Sequence, residues 1–157
     1  MKISILTISD SRTFDNDESG RSIKKYAETE GFELVDYEIV CDEIEKIACA
    51  LEKMLAKKVN IILTTGGTGI TARDVTPEAT QTIIEKEVPG IAEGIRWFSL
   101  QKTKNAMLSR GITGIKEKTL IVNLPGSKKA VNEILPYITD VLKHSKDMLA
   151  GINTQHS

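Results

Sequence analysis

Residues 60–80 read NIILTTGGTGITARDVTPEAT, a stretch in which an apolar run enters a glycine-rich loop that leads to an aspartate. A short continuous apolar run bounded by turn residues is typical of a strand covered on both faces, so residues 61–63 predict a buried strand. The glycines of residues 66–69 let the backbone adopt positive φ and approach a ligand closely, and neighbouring N–H groups can then bind an anion. Asp74 comes soon after this loop in the sequence, so its carboxylate could serve as the further oxygen ligand that a cation bound to phosphate oxygens needs. The stretch therefore predicts a metal–nucleotide site.

Two other interpretations of the same loop have to be weighed. Glycine-rich loops also serve as plain strand-to-helix turns without a ligand, and this alternative stays open at the level of the loop alone. Residues 67–72 also fit the dinucleotide-binding pattern G-x-G-x-x-G/A. That pattern opens a helix at once, whereas Thr76 as N-cap and Pro77 at the first helical position place the helix several residues later. No Walker A motif is present either, because Gly126 is followed by Ser127 and not by Lys and Ser or Thr.

Length and charge are those of one ordinary domain. The chain has 157 residues, with 21 basic against 22 acidic side chains and a net charge of −1. Nucleic acid is therefore not a favoured partner, because such binding depends on an excess of basic residues. The first residues lack the apolar core of a leader, and no run approaches the length of a membrane span. We expect a cytoplasmic protein without membrane contact, with one domain in residues 1–150 and a short tail in 151–157.

The cysteines and histidines offer no separate chemistry. Cys41 and Cys49 match neither a disulfide framework nor a zinc-binding spacing, so we expect reduced thiols. His144 and His156 lie near the end of the sequence, far from the glycine loop, and we expect them on a solvated face or in the tail rather than in catalysis.

Strands and helices are predicted to alternate along the chain. Helix starts are expected at the N-caps Ser19, Asp42 and Thr76. The apolar and turn patterns predict strands at 2–8, 32–40, 60–65 and 119–124, helices at 19–30, 42–55, 77–88, 91–103 and 128–149, and a loop or short hairpin at 111–115. The last helix is expected to bend or restart at Pro136. This order predicts an open, largely parallel α/β sheet with helices on both faces.

Polar residues follow each of the four main strands. Because ligands of such sheets bind at the carboxyl ends of the strands, one pocket is expected to collect residues 9–11, 40–42, 65–69 and 124–127. Hydroxyl groups, glycine backbone and the two separated carboxylates of Asp42 and Asp74 suit phosphate together with a metal.

Four motifs also resemble those of a known family. TTGGTG at 64–69, DVTPEAT at 74–80, AMLSRG at 106–111 and NLPGS at 123–127 are similar to the signatures of the MoaB/Mog molybdenum cofactor biosynthesis family. The resemblance runs nearly end to end with the motifs in the same order. Two further elements, SDSR at 9–12 and DESG at 17–20, resemble the MoaB branch more closely. Cys41 and Lys128 depart from the family pattern, which often has proline at these positions.

The resemblance implies a fold, an assembly and an activity. The fold is a three-layer α/β/α domain of the molybdopterin-binding type, assembled as a homotrimer or homohexamer. The implied reaction transfers AMP from Mg²⁺-ATP to the terminal phosphate of molybdopterin, giving adenylyl-molybdopterin and pyrophosphate. The attack on the α-phosphorus would be in line, so catalysis consists mostly of positioning and charge neutralisation. The alternative is a non-catalytic molybdopterin-binding or carrier protein of the same pathway, and other proteins of that pathway are possible partners.

The resemblance also implies a set of site residues. Asp42 and Asp74 would be catalytic and hold Mg²⁺, although as residue types they also suit a helix N-cap and a turn cap. The residues expected to bind substrate or nucleotide are Asp10, Ser11, Thr65, Gly66, Gly67, Thr68, Gly69, Glu78, Ser109, Arg110, Pro125, Gly126 and Ser127. Arg73, Arg96 and Lys128 are further candidate partners for phosphate, although exposed basic residues are usually just solvated.

The apolar residues of 91–100 surround much of the predicted helix, which suits either burial between helices or a subunit interface.

Overall fold

The computed structural model describes residues 1–152, which form a six-stranded sheet, five α-helices and one 3₁₀ helix. In chain order the elements are β1 Lys2–Ile8, α1 Glu18–Thr29, β2 Glu33–Val40, α2 Ile44–Ala56, β3 Ile61–Thr65, α3 Thr76–Ile83, β4 Lys86–Glu87, α4 Pro89–Leu100, the 3₁₀ helix Lys104–Leu108, β5 Thr113–Lys116, β6 Thr119–Leu124 and α5 Lys128–Leu149. Residues 153–157, which include His156 and most of the predicted tail, lie outside the described residues.

The strand order in the sheet is β2-β1-β3-β6-β5-β4. Strands β2, β1, β3 and β6 are parallel, while at one edge β5 pairs antiparallel with β6 and β4 pairs antiparallel with β5. The central strands β3 and β6 pair Ile61 with Leu120 and Thr65 with Leu124, so their carboxyl ends are level. The predicted largely parallel sheet is confirmed, and the predicted short hairpin near residue 113 is the β5–β6 hairpin.

Apolar side chains leave the sheet on both faces, and each face has its own core. Ile5 and Val122 point towards a core that includes residues of α1, α4 and α5. Leu6, Ile62 and Ile121 point towards the other core, which includes residues of α2 and α3. The three-layer arrangement explains the continuous apolar runs of the central strands, because both faces are covered. No helix within residues 1–152 is long and apolar enough to cross a membrane.

Three predicted helix caps were wrong. The N-cap of α1 is Asp17, whose carboxylate accepts the N–H of Gly20, while Ser19 already belongs to the helix. The N-cap position of α2 is Glu43, and no side chain caps this helix, so Asp42 is left for another role. Thr76 is the first residue of α3 and its hydroxyl donates to the Gly66 carbonyl at 2.9 Å, which ties the helix start to the glycine loop.

The segment after α3 also differs from prediction. The helix ends at Ile83, and the short edge strand β4 precedes α4, which begins at Pro89 instead of after it. Proline suits the first turn of a helix because the N–H that it lacks has no partner there. At the other end of the chain, α5 runs as one helix through Pro136 and does not restart. Both cysteines are free thiols.

Candidate functional site

A cavity of about 410 Å³ opens beside the carboxyl ends of β3 and β6. The glycine loop and the loop after β6 form one wall, and α4 with the 3₁₀ helix forms the other. The lining residues are Gly66, Gly67, Thr68, Gly69, Asp74, Ile95, Arg96, Ser99, Thr103, Asn105, Ala106, Leu108, Ser109, Pro125, Gly126, Ser127 and Ala130.

The glycine loop has a conformation that depends on glycine. Gly66 and Gly67 have φ angles of +98° and +64°, a region that residues with a Cβ atom rarely adopt. A Cβ atom on Gly66 would also collide with the carbonyl oxygen of Ile8, and one on Gly67 would lie 3.0 Å from Oδ1 of Asp42. A Cβ on Gly69 would lie 2.8 Å from Oδ2 of Asp74. The loop therefore packs directly against both aspartates that the sequence singles out.

Asp74 lies on the cavity wall and is held by the turn that precedes it. Its Oδ2 accepts the backbone N–H of Thr71 at 2.8 Å and the Thr71 hydroxyl at 2.7 Å. Partial burial raises the pKa of Asp74, but the hydrogen bonds from Thr71 and from the Gly69 backbone, together with the charge of Arg110, outweigh it, so the net pKa is lowered. No side chain among residues 1–152 donates to Oδ1. Asp74 is therefore an ionised carboxylate whose Oδ1 has no side-chain donor within these residues.

Asp42 lies against Gly67 of the glycine loop, outside the cavity lining, and has a different environment. Its backbone N–H donates to Oδ1 of Asp10 at 3.1 Å, but no side chain of the described residues pairs with its carboxylate. Burial raises the pKa of Asp42, and the neighbouring charge of Asp10 raises it further. Arg73 compensates only in part, because its guanidinium forms a two-point ion pair with Asp10 at 2.9 Å for each bond. The surroundings of Asp42 therefore carry excess negative charge that a cation would neutralise.

The two aspartates fit a magnesium ion that is shared with a substrate. Within residues 1–152 no group of three or more His, Cys, Asp or Glu is arranged to hold a metal by itself. Mg²⁺, however, commonly binds through one or two carboxylates together with substrate phosphates and water. Asp42 lies against Gly67 and Asp74 against Gly69, and the charge of Asp74 is one of the causes that raise the pKa of Asp42.

Arg110 stands behind the glycine loop rather than in the cavity. Its guanidinium donates to the carbonyl oxygens of Gly69 and Asp74, each at 2.7 Å, and pairs with the Glu78 carboxylate. The Arg110 hydrogen bond holds the pKa of Glu78 below its usual range. Neither Arg110 nor Glu78 lines the cavity, so the structure gives both residues the position of a clamp on the loop.

The loop after β6 is joined to the glycine loop by short contacts. The Thr65 hydroxyl donates to the Pro125 carbonyl at 2.8 Å, and the Gly66 N–H donates to the Leu124 carbonyl at 3.3 Å. Ser127 then caps α5, because its hydroxyl accepts the N–H of Ala130 at 3.3 Å. The first N–H groups of α5 therefore open on the same cavity as the glycine loop, and helix N-termini of this kind bind phosphates.

The opposite wall is mostly apolar. Ile95, Ala106 and Leu108 contribute apolar surface, and Arg96 is the one cation among the lining residues. Arg96 donates one hydrogen bond to the Gly111 carbonyl at 2.8 Å, which leaves other N–H groups of its guanidinium for a ligand. A flat ring would fit between such an apolar wall and the polar loops.

Residues 4–144 match a family model described as a probable molybdopterin binding domain. The chain belongs to this family. It is 42% identical to the molybdenum cofactor synthesis protein cinnamon of Drosophila melanogaster over 149 residues, 92% of this chain and 25% of that protein. It is 41% identical to the molybdopterin adenylyltransferase of Helicobacter pylori over 116 residues, 73% of this chain and 66% of that protein. The chain thus spans a quarter of the first relative and just under two thirds of the second.

Solved structures agree with the family assignment. The crystal structure of the molybdopterin biosynthesis enzyme MoaB from Thermus thermophilus has a TM-score of 0.87 and 40% sequence identity, with 96% of each chain covered. The resemblance to the MoaB/Mog family and the three-layer fold that it implied are confirmed.

The cavity contains only part of the residue set that the family resemblance implied. Nine of those residues line it, namely Gly66, Gly67, Thr68, Gly69, Asp74, Ser109, Pro125, Gly126 and Ser127. The residues that lie outside the lining are Asp10, Ser11, Asp42, Thr65, Glu78 and Arg110. Residues 9–11 and 40–42, which follow β1 and β2, are not among the lining residues, so the convergence of four strand ends in one pocket stays a prediction. The cavity lies beside two strand ends, and Asp10 and Asp42 flank it.

Sequence reasoning missed most of the wall that α4 and the 3₁₀ helix form. Ile95, Ser99, Thr103, Asn105 and Leu108 were not singled out as site residues, yet all of them line the cavity. The apolar pattern of the α4 sequence was noticed, but a helix with apolar residues around much of its surface does not reveal which face meets a ligand.

Proposed function

We propose that this protein is a molybdopterin adenylyltransferase that transfers AMP from Mg²⁺-ATP to the terminal phosphate of molybdopterin and releases pyrophosphate. The observation that carries the proposal is that the glycine loop, the start of α5 and the ionised Asp74 all face one cavity. Family membership and the similarity to the Helicobacter pylori enzyme support this choice of reaction.

The phosphates are bound by backbone rather than by a ring of cations. The loop of residues 66–69 and the N-terminus of α5 present N–H groups from two sides, and both are anion-binding elements. Arg96 adds a positive charge on the opposite wall. Such preorganised donors stabilise the charge that develops on the transferring phosphoryl group without rearrangement.

Asp42 and Asp74 would hold Mg²⁺ against the nucleotide phosphates. Bound there, the ion would neutralise phosphate charge and fix the phosphate chain for in-line attack. Within the protein, the Thr71 hydrogen bonds keep Asp74 oriented, and the crowding of Asp42 by Asp10 favours a bound cation at that position. The protein's contribution to the reaction is thus placement of the two phosphates.

The apolar wall would accept the flat ring of one substrate. Ile95 and Leu108 present aliphatic surface, while Ser99 and Thr103 add hydroxyl groups at the edge. A pocket with mainly apolar lining and a few polar groups both buries and orients a heterocycle. Molybdopterin and ATP both have such a ring, and both are substrates in this proposal.

The direct test is product formation by the purified protein. Wild type is incubated with Mg²⁺, ATP and molybdopterin, and adenylyl-molybdopterin and pyrophosphate are measured beside Asp74→Asn and the matched control Asp140→Asn. Asp140 lies on the exposed face of α5. We expect product from wild type and from the Asp140 variant but not from the Asp74 variant. Molybdopterin binding without any product from wild type would refute the adenylyltransferase and leave a binding or carrier protein.

We further propose that the protein works in the cytoplasm as a homotrimer or homohexamer, with residues 1–150 as one unit and with other cofactor-biosynthesis proteins as possible partners. Trp97 on α4 is 61% exposed, and Tyr137 and Val141 on α5 are 43% and 47% exposed. Exposed apolar side chains on two packed helices are typical of an interaction surface. Light scattering at micromolar concentration should show an oligomer, and a monomer would contradict it.

A further inference from the structure

Asp17 is a buried carboxylate that accepts hydrogen bonds from residues of β1, β2 and α1. Its Oδ2 accepts the Thr7 hydroxyl at 2.5 Å and the Tyr37 hydroxyl at 2.6 Å. Its Oδ1 accepts the Gly20 N–H at 3.0 Å and the Ser19 hydroxyl at 3.2 Å. Strands β1 and β2 and the start of α1 therefore meet at one side chain, which has no exposed surface.

Arg12 is the cation in contact with Asp17. Its Nη1 lies 3.5 Å from Oδ1 of Asp17 and also donates to the Ser19 hydroxyl. Burying a carboxylate is costly unless charge and hydrogen bonds compensate, so the position of Arg12 is tied to that of Asp17. The guanidinium is planar and rigid, so once one edge is fixed by Asp17 and Ser19 the direction of its other nitrogen is set as well.

The other edge of Arg12 reaches the candidate site. Its Nη2 donates to the carbonyl oxygen of Gly126 at 2.8 Å, a contact between residues 114 positions apart in the sequence. Gly126 lines the cavity and packs so closely on the glycine loop that a Cβ atom there would lie 3.3 Å from the Gly66 Cα. A buried ionic anchor is thus connected to the loop that begins α5.

This contact fixes the direction of a backbone amide. In a trans peptide the carbonyl and the following N–H point in opposite directions. Because Arg12 holds the Gly126 carbonyl on its own side, the Ser127 N–H is turned away from Arg12, and within residues 1–152 it donates to no acceptor. Ser127 lines the cavity, so this amide is available to an anion bound there.

We propose that Asp17 and Arg12 are positioning residues that hold the Gly126–Ser127 peptide with its amide directed at the substrate phosphate. Asp17 orients Arg12, Arg12 holds the Gly126 carbonyl, and the Ser127 N–H contacts the phosphate. The effect on catalysis rests on the proposed adenylyl transfer, whereas the effect on the loop does not.

Hydrogen exchange of the ligand-free protein tests the loop without any turnover. The variants are Arg12→Met, Asp17→Asn and the control Lys143→Met, which removes a 2.8 Å ion pair to Glu30 between α5 and α1. We expect exchange in a peptide covering residues 124–131 to be at least about tenfold faster in Arg12→Met, with the peptides of β3 and α2 unchanged. Lys143→Met should match wild type. Unchanged exchange in 124–131, or an equal increase in every peptide, would overturn the proposal.

The Asp17→Asn variant removes a buried charge and could prevent folding, so Arg12→Met decides the test in that case. If Asp17→Asn folds, its exchange in 124–131 should lie between wild type and Arg12→Met. Exchange like that of wild type would refute the role of Asp17.

A kinetic comparison separates positioning from simple charge. Arg12→Met is expected to lower kcat by about tenfold to 100-fold, as for other losses of alignment. Arg12→Lys should not restore kcat, because a single ammonium cannot bond both Asp17 and the Gly126 carbonyl in the guanidinium geometry. Full activity of Arg12→Lys would show that charge alone matters. An inactive wild type would refute the proposed function. The exchange experiment would still show whether Arg12 and Asp17 hold the Gly126–Ser127 peptide.

Discussion

The two aspartates beside the glycine loop, Asp42 and Asp74, lie in opposite environments. On the cavity side, the Asp74 carboxylate accepts two hydrogen bonds from Thr71, and these lower its pKa. The Asp42 carboxylate, outside the cavity lining, has no side-chain partner within the described residues, and burial together with Asp10 raises its pKa. One aspartate is thus stabilised in its charged form by the protein, whereas the other is not.

This difference indicates a division of labour between the two carboxylates. A carboxylate that the protein itself stabilises keeps its position whether or not a ligand is bound. The ionised form of a carboxylate that lies beside a like charge is stabilised most when a cation binds to it. In our account Asp74 is the fixed ligand of the magnesium ion, and Asp42 is the ligand whose free energy depends on the ion.

The largest expected effect is that of Asp74→Asn on turnover. Removing the fixed carboxylate ligand of the Mg²⁺ that neutralises the transferring phosphate should lower kcat by roughly 100-fold to 1000-fold. Steady-state assay of pyrophosphate at saturating Mg²⁺ and ATP measures it, with Asp140→Asn as control. Turnover within threefold of wild type would show that Asp74 is only a turn cap.

Asp42→Asn should have a smaller effect that depends on magnesium. The variant loses one metal ligand but no hydrogen bond from a side chain, so we expect turnover to fall about tenfold at low Mg²⁺ and to recover largely at high Mg²⁺. Titration of turnover with Mg²⁺ measures this. A loss that no Mg²⁺ concentration reverses would place Asp42 in a role other than metal binding.

The two variants should change stability in opposite directions. Asp74→Asn loses charge-assisted hydrogen bonds from Thr71 and should destabilise the fold by about 1 kcal/mol. Asp42→Asn removes a charge that burial and Asp10 disfavour, so it should raise the melting temperature. Thermal unfolding of the ligand-free proteins distinguishes them, and a destabilised Asp42→Asn would contradict the comparison.

The same contrast predicts a pH dependence of opposite sign. The folded-state pKa of Asp74 lies below the ordinary value of 3.8, so its stabilising contribution is present above that value and is lost as pH falls through the folded pKa. The folded-state pKa of Asp42 lies above 3.8, so its contribution is favourable at low pH and is lost as pH rises through the folded pKa. Differences in unfolding free energy between wild type and each Asn variant, measured from pH 2 to 6, should therefore slope in opposite directions.

The smallest expected effect concerns Arg73. The Arg73 guanidinium pairs with Asp10, which is adjacent to Asp42. From that position its positive charge offsets part of the negative charge of Asp42. Arg73→Gln should therefore tighten Mg²⁺ binding about twofold at low salt, and added salt should abolish the difference, since exposed charges are screened. Weaker binding would show that Arg73 helps to hold a phosphate instead.

Prediction from sequence succeeded where one local pattern determined the structure. The strands β1 and β6 were predicted with their observed bounds, because a buried parallel strand reads as one apolar run. Helix starts were predicted less well. Aspartate and serine are both common N-caps, and only the hydrogen bond from the Gly20 N–H shows that Asp17, and not Ser19, caps α1. The edge strand β4 was missed because Lys86 and Glu87 are two exposed residues without a strand pattern.

The candidate site was predicted only as far as its motifs extend. Asp74 comes only five residues after Gly69 in the sequence, so the glycine loop and Asp74 must lie close together. The opposite wall depends on how α4 packs, which no local pattern reveals. Arg110 shows a further limit, because a guanidinium with five donors can bind a ligand or clamp the backbone, and only the positions of Gly69 and Glu78 show that it clamps.

The central claim is that Asp42 and Asp74 hold one magnesium ion together with the nucleotide. The most direct measurement is the Mg²⁺ concentration that half-saturates ATP binding, determined by calorimetry for wild type, Asp42→Asn, Asp74→Asn and the double variant. If both carboxylates hold the same ion, each single variant should need at least about tenfold more Mg²⁺, and the double variant should be little worse than the worse single one. Wild-type Mg²⁺ dependence in either single variant, or fully additive losses in the double variant, would contradict the account.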